Sequence, residues 1–269
     1  MRFHHPNVIN FKNIKCRAVN FFLNNKRIIL TFILIFFFVS LYFFVDFSTQ
    51  SLVAHDEGLY ARRARIIESS DNWFSPPFET AHHKTLGGYW LIALSLKLFG
   101  NNELAIRLPS ILSSFLCLLI SYLIALNISN KKSALISLFS LCSMPLWIQY
   151  SRYASPDFPF LLCILLAIFL FLKALDSSYN SGEYFYIFSA GFFLSISFFI
   201  RSFMAFVPFI GLAPFFYYHL FKKNHYFKIL FFSGISIGSI PTVLNLYFAF
   251  KKYGPTGITS LFEFARKQA

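Results

Sequence analysis

Carboxylates and cations in this sequence gather in a few short clusters, each placed beside a long apolar run. The carboxylates are Asp56 and Glu57, within HDEGLYARRAR, and Asp157, within SRYASPDFP. The accompanying cations are Lys84, Arg107, Arg152 and Arg201. A carboxylate can remove the proton of an acceptor hydroxyl, while lysine and arginine can neutralise a departing phosphate. These residue types therefore suit transfer of a group from a lipid phosphate to a hydroxyl.

Each cluster also has a simpler interpretation. Asp56 can be the N-cap of an amphipathic helix over 56–70, and Asp157 can cap a later helix. The apolar face of the first helix would then consist of Leu59, Tyr60, Ala64, Ile66 and Ile67. Cations beside apolar runs commonly snorkel to the headgroups, which would account for Lys84, Arg107 and Arg201. Ionisable groups gathered at one membrane depth are costly unless they line a wet cavity, so their convergence favours a functional site.

The elements that must position these clusters are membrane spans. Of the 269 residues, 57% are hydrophobic and 13% charged, against about 25% charged in a soluble domain. Apolar runs of roughly 17 to 25 residues match a hydrocarbon layer about 30 Å thick. We predict an all-α transmembrane bundle of about seven spans, at roughly 28–47, 108–126, 134–150, 158–175, 184–200, 203–221 and 226–250.

The run over 86–99 is too short for a span and begins with two glycines. At about 1.5 Å per residue it reaches some 21 Å, so we predict an interfacial or re-entrant helix. Residues 1–27 form a basic arm, which the positive-inside rule places in the cytoplasm together with 130–132 and 221–228. A long outer loop over 48–107, with juxtamembrane helices, follows. This topology places every polar cluster on the non-cytoplasmic side.

The remaining features argue against other classes of protein. The net charge of +13 lies in loops and not on a basic soluble surface, so nucleic acid is not expected as a partner. The four cysteines show no CxxC spacing, which indicates neither a disulfide framework nor a zinc site. His82 and His83 lack metal-ligand spacing. A transporter or flippase remains an alternative, but it would place charges at mid-membrane in inverted pairs.

The motifs in order resemble those of a known family. They are DEGLYARRARIIESSDNWFSP, then HHKTLGGYWLIALSLKLFGNNELAIRLPS, then SRYASPDFP. They are similar to the GT-C glycosyltransferases, including protein O-mannosyltransferases and the bacterial transferase that adds aminoarabinose to lipid A. The match is sharp between 55 and 160 and extends over 28–269 in general layout. It implies a multi-pass protein of the bacterial plasma membrane that transfers a sugar from a polyprenyl-phosphate donor, with inversion, to a lipid, glycan or protein.

The resemblance also implies roles for individual residues. Asp56 would be the catalytic base, Glu57 would support it, and Asp157 would shape the acceptor or sugar pocket. The donor phosphate would be bound by Lys84, Arg107 and Arg201. The pocket would also include Tyr60, His83, Tyr89 and Arg152.

The sequence departs from the family pattern in two places. Relatives have acid-Lys-Pro-Pro where this chain has His83-Lys84-Thr85-Leu86, and Gly-Pro where it has Ser202-Phe203. A divalent metal held at the first position in relatives would need Glu79 or His83 here. The chain is also about half the family's usual length, which predicts a truncated C-terminus. A non-catalytic paralogue that keeps the fold is therefore a further alternative.

Overall fold

The computed structural model describes Leu52 and residues 56–79, 84–176 and 181–260, and within these ranges it contains helices and connecting turns but no strands. A 3-10 turn at Ser202–Ala205 separates two of the helices. In chain order the helices are α1 (Asp56–Glu68), α2 (Gly87–Phe99), α3 (Glu103–Ile128), α4 (Lys131–Cys142), α5 (Pro145–Ser151), α6 (Asp157–Asp176), α7 (Ser181–Arg201), α8 (Phe206–Lys222) and α9 (His225–Tyr253). The predicted all-α class is confirmed.

Four of the described helices are long and apolar enough to cross a membrane, namely α3, α6, α7 and α9. A fifth span results if α4 and α5 count as one, although they are bent by 65° at their junction. The span predicted over 134–150 falls on this bent pair of helices. The span predicted over 203–221 begins only at Phe206, after the 3-10 turn, and has 17 residues. The predicted run 28–47 and the arm 1–27 lie outside the described residues, and the total of about seven spans is not confirmed.

Asparagine side chains define the starts of three helices. The side-chain oxygens of Asn102, Asn130 and Asn224 accept hydrogen bonds from backbone N–H groups in the first turns of α3, α4 and α9. Such caps satisfy N–H groups that have no partner within the helix. The helix α2 is mostly apolar and has 13 residues, in agreement with the short run expected over 86–99.

Close contact between α7 and α9 forms the centre of the bundle. A Cβ at Gly234 would lie 2.1 Å from the carbonyl oxygen of Phe188, and one at Gly191 would lie 2.2 Å from that of Phe231. Small residues at such positions let two membrane helices approach backbone to backbone. Across the same interface, the hydroxyls of Ser195 and Ser239 are 2.7 Å apart.

The polar clusters lie at one end of this bundle. Antiparallel connections bring together the start of α1, the starts of α3 and α6, and the end of α7. The end of α9 joins them, since the Lys252 ammonium and the Tyr253 hydroxyl donate to the carbonyls of Pro76 and Phe78. At the opposite end Lys223 pairs with Glu183 at 2.9 Å. The helix order thus brings the polar clusters to one end of the bundle.

Candidate functional site

The first turn of α1 is attached to two other elements through one carboxylate. Glu57 accepts hydrogen bonds from Arg107 Nε at 3.1 Å and from the second guanidinium nitrogen at 3.0 Å. The backbone N–H of Ala154 donates to the same carboxylate at 2.8 Å. Glu57 is 2% and Arg107 3% exposed. A buried, bidentate ion pair therefore joins α1 to α3 and to the loop before α6.

A second cluster lies around the phenol of Tyr60, one turn further along α1. Lys84 Nζ donates to the Tyr60 hydroxyl oxygen at 2.8 Å, and an Arg201 nitrogen donates to it at 3.2 Å. The other terminal nitrogen of Arg201 is 2.8 Å from Asp157 Oδ1. Residues from α1, α6 and α7 and from the segment before α2 thus meet. Arg201 and Asp157 keep part of their surface exposed, so this cluster is open to a ligand.

Tyr89 extends this cluster along α2. Its ring centroid is 5.3 Å from that of Tyr60, and its hydroxyl accepts a hydrogen bond from Arg63 at 3.0 Å. Burial raises the pKa of the Tyr89 phenol above its ordinary value, while the Arg63 guanidinium acts to lower it. Tyr89 is therefore a neutral hydrogen-bonding group at pH 7. Arg63 was not among the predicted site residues; its spacing of three from Tyr60, on one helical face, was the available signal.

The position of α2 depends on two glycines at its start. A Cβ at Gly87 would lie 2.6 Å from the carbonyl oxygen of Phe199, and one at Gly88 would lie 2.7 Å from the Pro156 side chain. Only residues without a side chain permit α2 to pack this closely against the end of α7 and the start of α6. The glycine pair therefore determines where Lys84 lies relative to Arg201.

The structure describes the remaining predicted residues only in part. Asp56 is the first residue of α1, but its side chain is outside the described part of the structure, as are His82 and His83. Glu79 is exposed, and Arg152 is partly buried at the end of α5. The predicted apolar face of α1 needs one correction. Its buried residues include Ala61, whereas Leu59 is 36% exposed, because the buried stripe follows the spacing of Tyr60, Ala64 and Ile67.

The described part of the site is rich in positive charge. It contains four cations, Arg63, Lys84, Arg107 and Arg201, and two carboxylates, Glu57 and Asp157. An anionic ligand would reduce this imbalance. Within the described residues, no group of three or more His, Cys, Asp or Glu side chains is placed to hold a metal ion.

Comparison with known proteins gives a consistent result. A family model described as dolichyl-phosphate-mannose-protein mannosyltransferase matches residues 83–248. An undecaprenyl phosphate-alpha-4-amino-4-deoxy-L-arabinose arabinosyl transferase of Shewanella sediminis is 28% identical over 72% of this chain and 36% of its own length. The corresponding Pseudomonas paraeruginosa protein is 30% identical over 57% of this chain and 28% of its own. The chain thus spans well under half the length of these relatives.

The fold is shared with a solved transferase. The crystal structure of ArnT from Cupriavidus metallidurans in the apo state matches 87% of this chain and 43% of its own, with a TM-score of 0.71 and 18% identity. The same protein bound to undecaprenyl phosphate gives a TM-score of 0.68. At this identity the similarity concerns the fold alone.

Proposed function

Because the chain belongs to the dolichyl-phosphate-mannose-protein mannosyltransferase family, within the GT-C class that its motifs indicate, we propose that it transfers a sugar from a polyprenyl-phosphate donor to an acceptor hydroxyl. The acceptor is a lipid, a glycan or a protein. The observation that carries the proposal is the convergence of two cations on one oxygen. Lys84 Nζ and the Arg201 nitrogen lie 2.8 and 3.2 Å from the Tyr60 oxygen, so they are at most about 6 Å apart.

Two cations at this separation can contact different oxygens of one phosphate group. Lysine binds phosphate as a compact point charge, whereas arginine presents a planar set of donors. The second nitrogen of Arg201 is held by Asp157, which fixes the orientation of the guanidinium. The Tyr60 hydroxyl lies between the two cations, and in this proposal an anionic oxygen of the donor binds beside it.

The reaction is a single displacement at the anomeric carbon. The Asp56 carboxylate removes the proton of the acceptor hydroxyl, whose oxygen then bonds to the anomeric carbon of the donor sugar. The bond from this carbon to the phosphate oxygen breaks, and its electron pair leaves with the polyprenyl phosphate. Lys84 and Arg201 stabilise the charge that develops on that oxygen. One displacement inverts the configuration of the sugar carbon.

The site faces the non-cytoplasmic side of the bacterial plasma membrane in this proposal. The opposite end of the bundle carries most of the lysines near helix ends, namely Lys131, Lys132, Lys222, Lys223 and Lys228. The positive-inside rule places such an end in the cytoplasm. The site end also carries lysines and arginines, among them Lys251 and Lys252, so the orientation rests on the short connections from α3 to α4 and from α8 to α9.

Donor binding and turnover test separate parts of the proposal. Full-length protein in nanodiscs is given a radiolabelled polyprenyl-phosphate sugar, and release of the label is compared between wild type and Asp56→Asn. We expect turnover to fall on the order of 100-fold or more, since general-base catalysis commonly contributes about 10²–10⁴-fold. Binding of undecaprenyl phosphate should be unchanged. Equal turnover in the two proteins would refute Asp56 as the base.

The two cations are tested by binding alone. Lys84→Met and Arg201→Met should each weaken binding of undecaprenyl phosphate by about tenfold to hundredfold, because a hydrogen bond to a charged group contributes about 1.5–3 kcal/mol. The control is Arg62→Met, which removes a charge from the exposed side of α1. If all three variants bind with the same affinity, the phosphate does not bind between Lys84 and Arg201.

A further inference from the structure

The buried ion pair of Glu57 and Arg107 indicates a role for these two residues, and this inference rests on the proposed function. Glu57 follows Asp56 directly, and its carboxylate accepts hydrogen bonds from Arg107 at 3.1 and 3.0 Å and from Ala154 N–H at 2.8 Å. Ala154 precedes Asp157 by three residues. One ion pair therefore joins the segment that begins with Asp56 to the loop that leads into Asp157.

The environment of this pair excludes direct chemistry with a substrate. Both side chains are almost completely buried, at 2% and 3% exposure. The Glu57 carboxylate already accepts three hydrogen bonds, two of them from a guanidinium. Glu57 is thus not placed to exchange a proton with a substrate. Two of the three guanidinium nitrogens of Arg107 are bonded to Glu57, and the side chain is only 3% exposed, so it offers little surface to a donor phosphate.

A second contact strengthens the same connection. Ser110, three residues after Arg107 on α3, donates its hydroxyl to the carbonyl of Ser155 at 2.8 Å and accepts from the Ser155 N–H at 3.1 Å. Ser110 of α3 therefore binds both backbone groups of Ser155, while Glu57 of α1 binds the preceding residue, Ala154. The hydrogen bonds of Ser110 hold the loop before α6 against α3. The hydrogen bond from Ala154 to Glu57 holds α1 against the same loop.

We propose that Glu57 and Arg107 are positioning residues, which hold Asp56 of α1 and Asp157 of α6 at a fixed separation around the donor site. They contact neither donor nor acceptor. Arg107 then has a different role from Lys84 and Arg201, although all three are cations at the same end of the bundle.

The test removes both charges together. Losing one partner alone leaves a buried unpaired charge and can unfold the protein, whereas replacing both by neutral groups of similar size preserves the fold more often. The variant is therefore Glu57→Gln with Arg107→Met. Its matched control is Glu183→Gln with Lys223→Met, which removes the ion pair at the opposite end of the bundle.

We expect the first double variant to show a smaller rise in its Kd for undecaprenyl phosphate than Lys84→Met, because neither Glu57 nor Arg107 contacts the donor in this proposal. Its kcat should fall by about tenfold to hundredfold, because displacements near 1 Å in an active site have effects of this size. The control double variant should keep its kcat. A Kd that rises as far as that of Lys84→Met would overturn the proposal, since Arg107 would then be a donor ligand. An unchanged kcat would overturn it as well.

A distance measurement separates this inference from the proposed function. Spin labels at Arg62→Cys on α1 and Gln149→Cys on α5, both exposed positions, report the separation of the two segments. Cys16 and Cys142 are replaced by serine in this protein. The distance distribution should broaden in the Glu57/Arg107 double variant and not in the control. If the distance distribution of the Glu57/Arg107 double variant is as narrow as that of wild type, the positioning role is refuted, even if the protein transfers sugar. If the wild-type protein transfers no sugar, only the proposed function is refuted.

Discussion

Substitution of Gly87 by alanine tests whether α2 sets the donor site. The added Cβ would lie 2.6 Å from the Phe199 carbonyl oxygen, about 0.8 Å closer than the 3.4 Å at which ordinary contact begins. This oxygen is part of the α7 backbone and cannot rotate away, so α2 itself must move. Overpacking of this kind costs about 1–3 kcal/mol. The greater helix propensity of alanine offsets at most about 1 kcal/mol of this destabilisation.

The movement should reach the two cations. Lys84 precedes Gly87 by three residues, and Arg201 follows Phe199 by two, so a displacement between α2 and α7 also separates Lys84 from Arg201. We expect the affinity for undecaprenyl phosphate and the rate of sugar transfer each to fall by about tenfold to hundredfold. Displacements of about 1 Å in active sites have effects of this size. The midpoint of thermal unfolding should fall by about 2–4 °C per kcal/mol lost.

The assay compares Gly87→Ala with Gly211→Ala in nanodiscs. Gly211 lies in α8, and a Cβ there would meet nothing within 4 Å. The control should therefore retain both donor binding and thermal stability. If Gly87→Ala binds donor and unfolds like wild type, the close contact between α2 and α7 does not determine the site.

Three further substitutions test the packing around the site, each by thermal unfolding in detergent. Ser202 has φ of 57°, and its buried hydroxyl has no hydrogen-bond partner among the described residues, so Ser202→Gly should stabilise by about 1 kcal/mol; a lower midpoint would contradict this. The Asn245 amide, 1% exposed, likewise lacks a partner within the described ranges, and Asn245→Leu should stabilise by about 1–3 kcal/mol; a loss of stability would indicate a partner outside those ranges. Gly234→Ala places a Cβ 2.1 Å from the Phe188 oxygen and should destabilise by about 1–3 kcal/mol, whereas Gly211→Ala should not; equal midpoints would contradict the close approach.

Much of the fold could be predicted because membrane insertion depends on local composition. The apolar runs over 108–126, 158–175, 184–200 and 226–250 each lie within one observed long helix, since hydropathy is summed over neighbouring residues. The bend between α4 and α5 was not predicted, although Pro145 was its signal. The residue before a proline is biased away from the helical region, and Met144 has an extended backbone.

The sequence by itself determined which polar residues lie at the same end of the bundle, because alternating spans return successive loops to the same side. Only the tertiary structure decided which of them meet. Arg107 and Glu57 are fifty residues apart, and Arg63 and Tyr89 are twenty-six apart. Such contacts depend on how each helix is rotated about its axis and how closely its neighbours approach. The rotation of each helix results from its packing against other helices, including the contact at Gly87. It therefore cannot be predicted from a local pattern of residues.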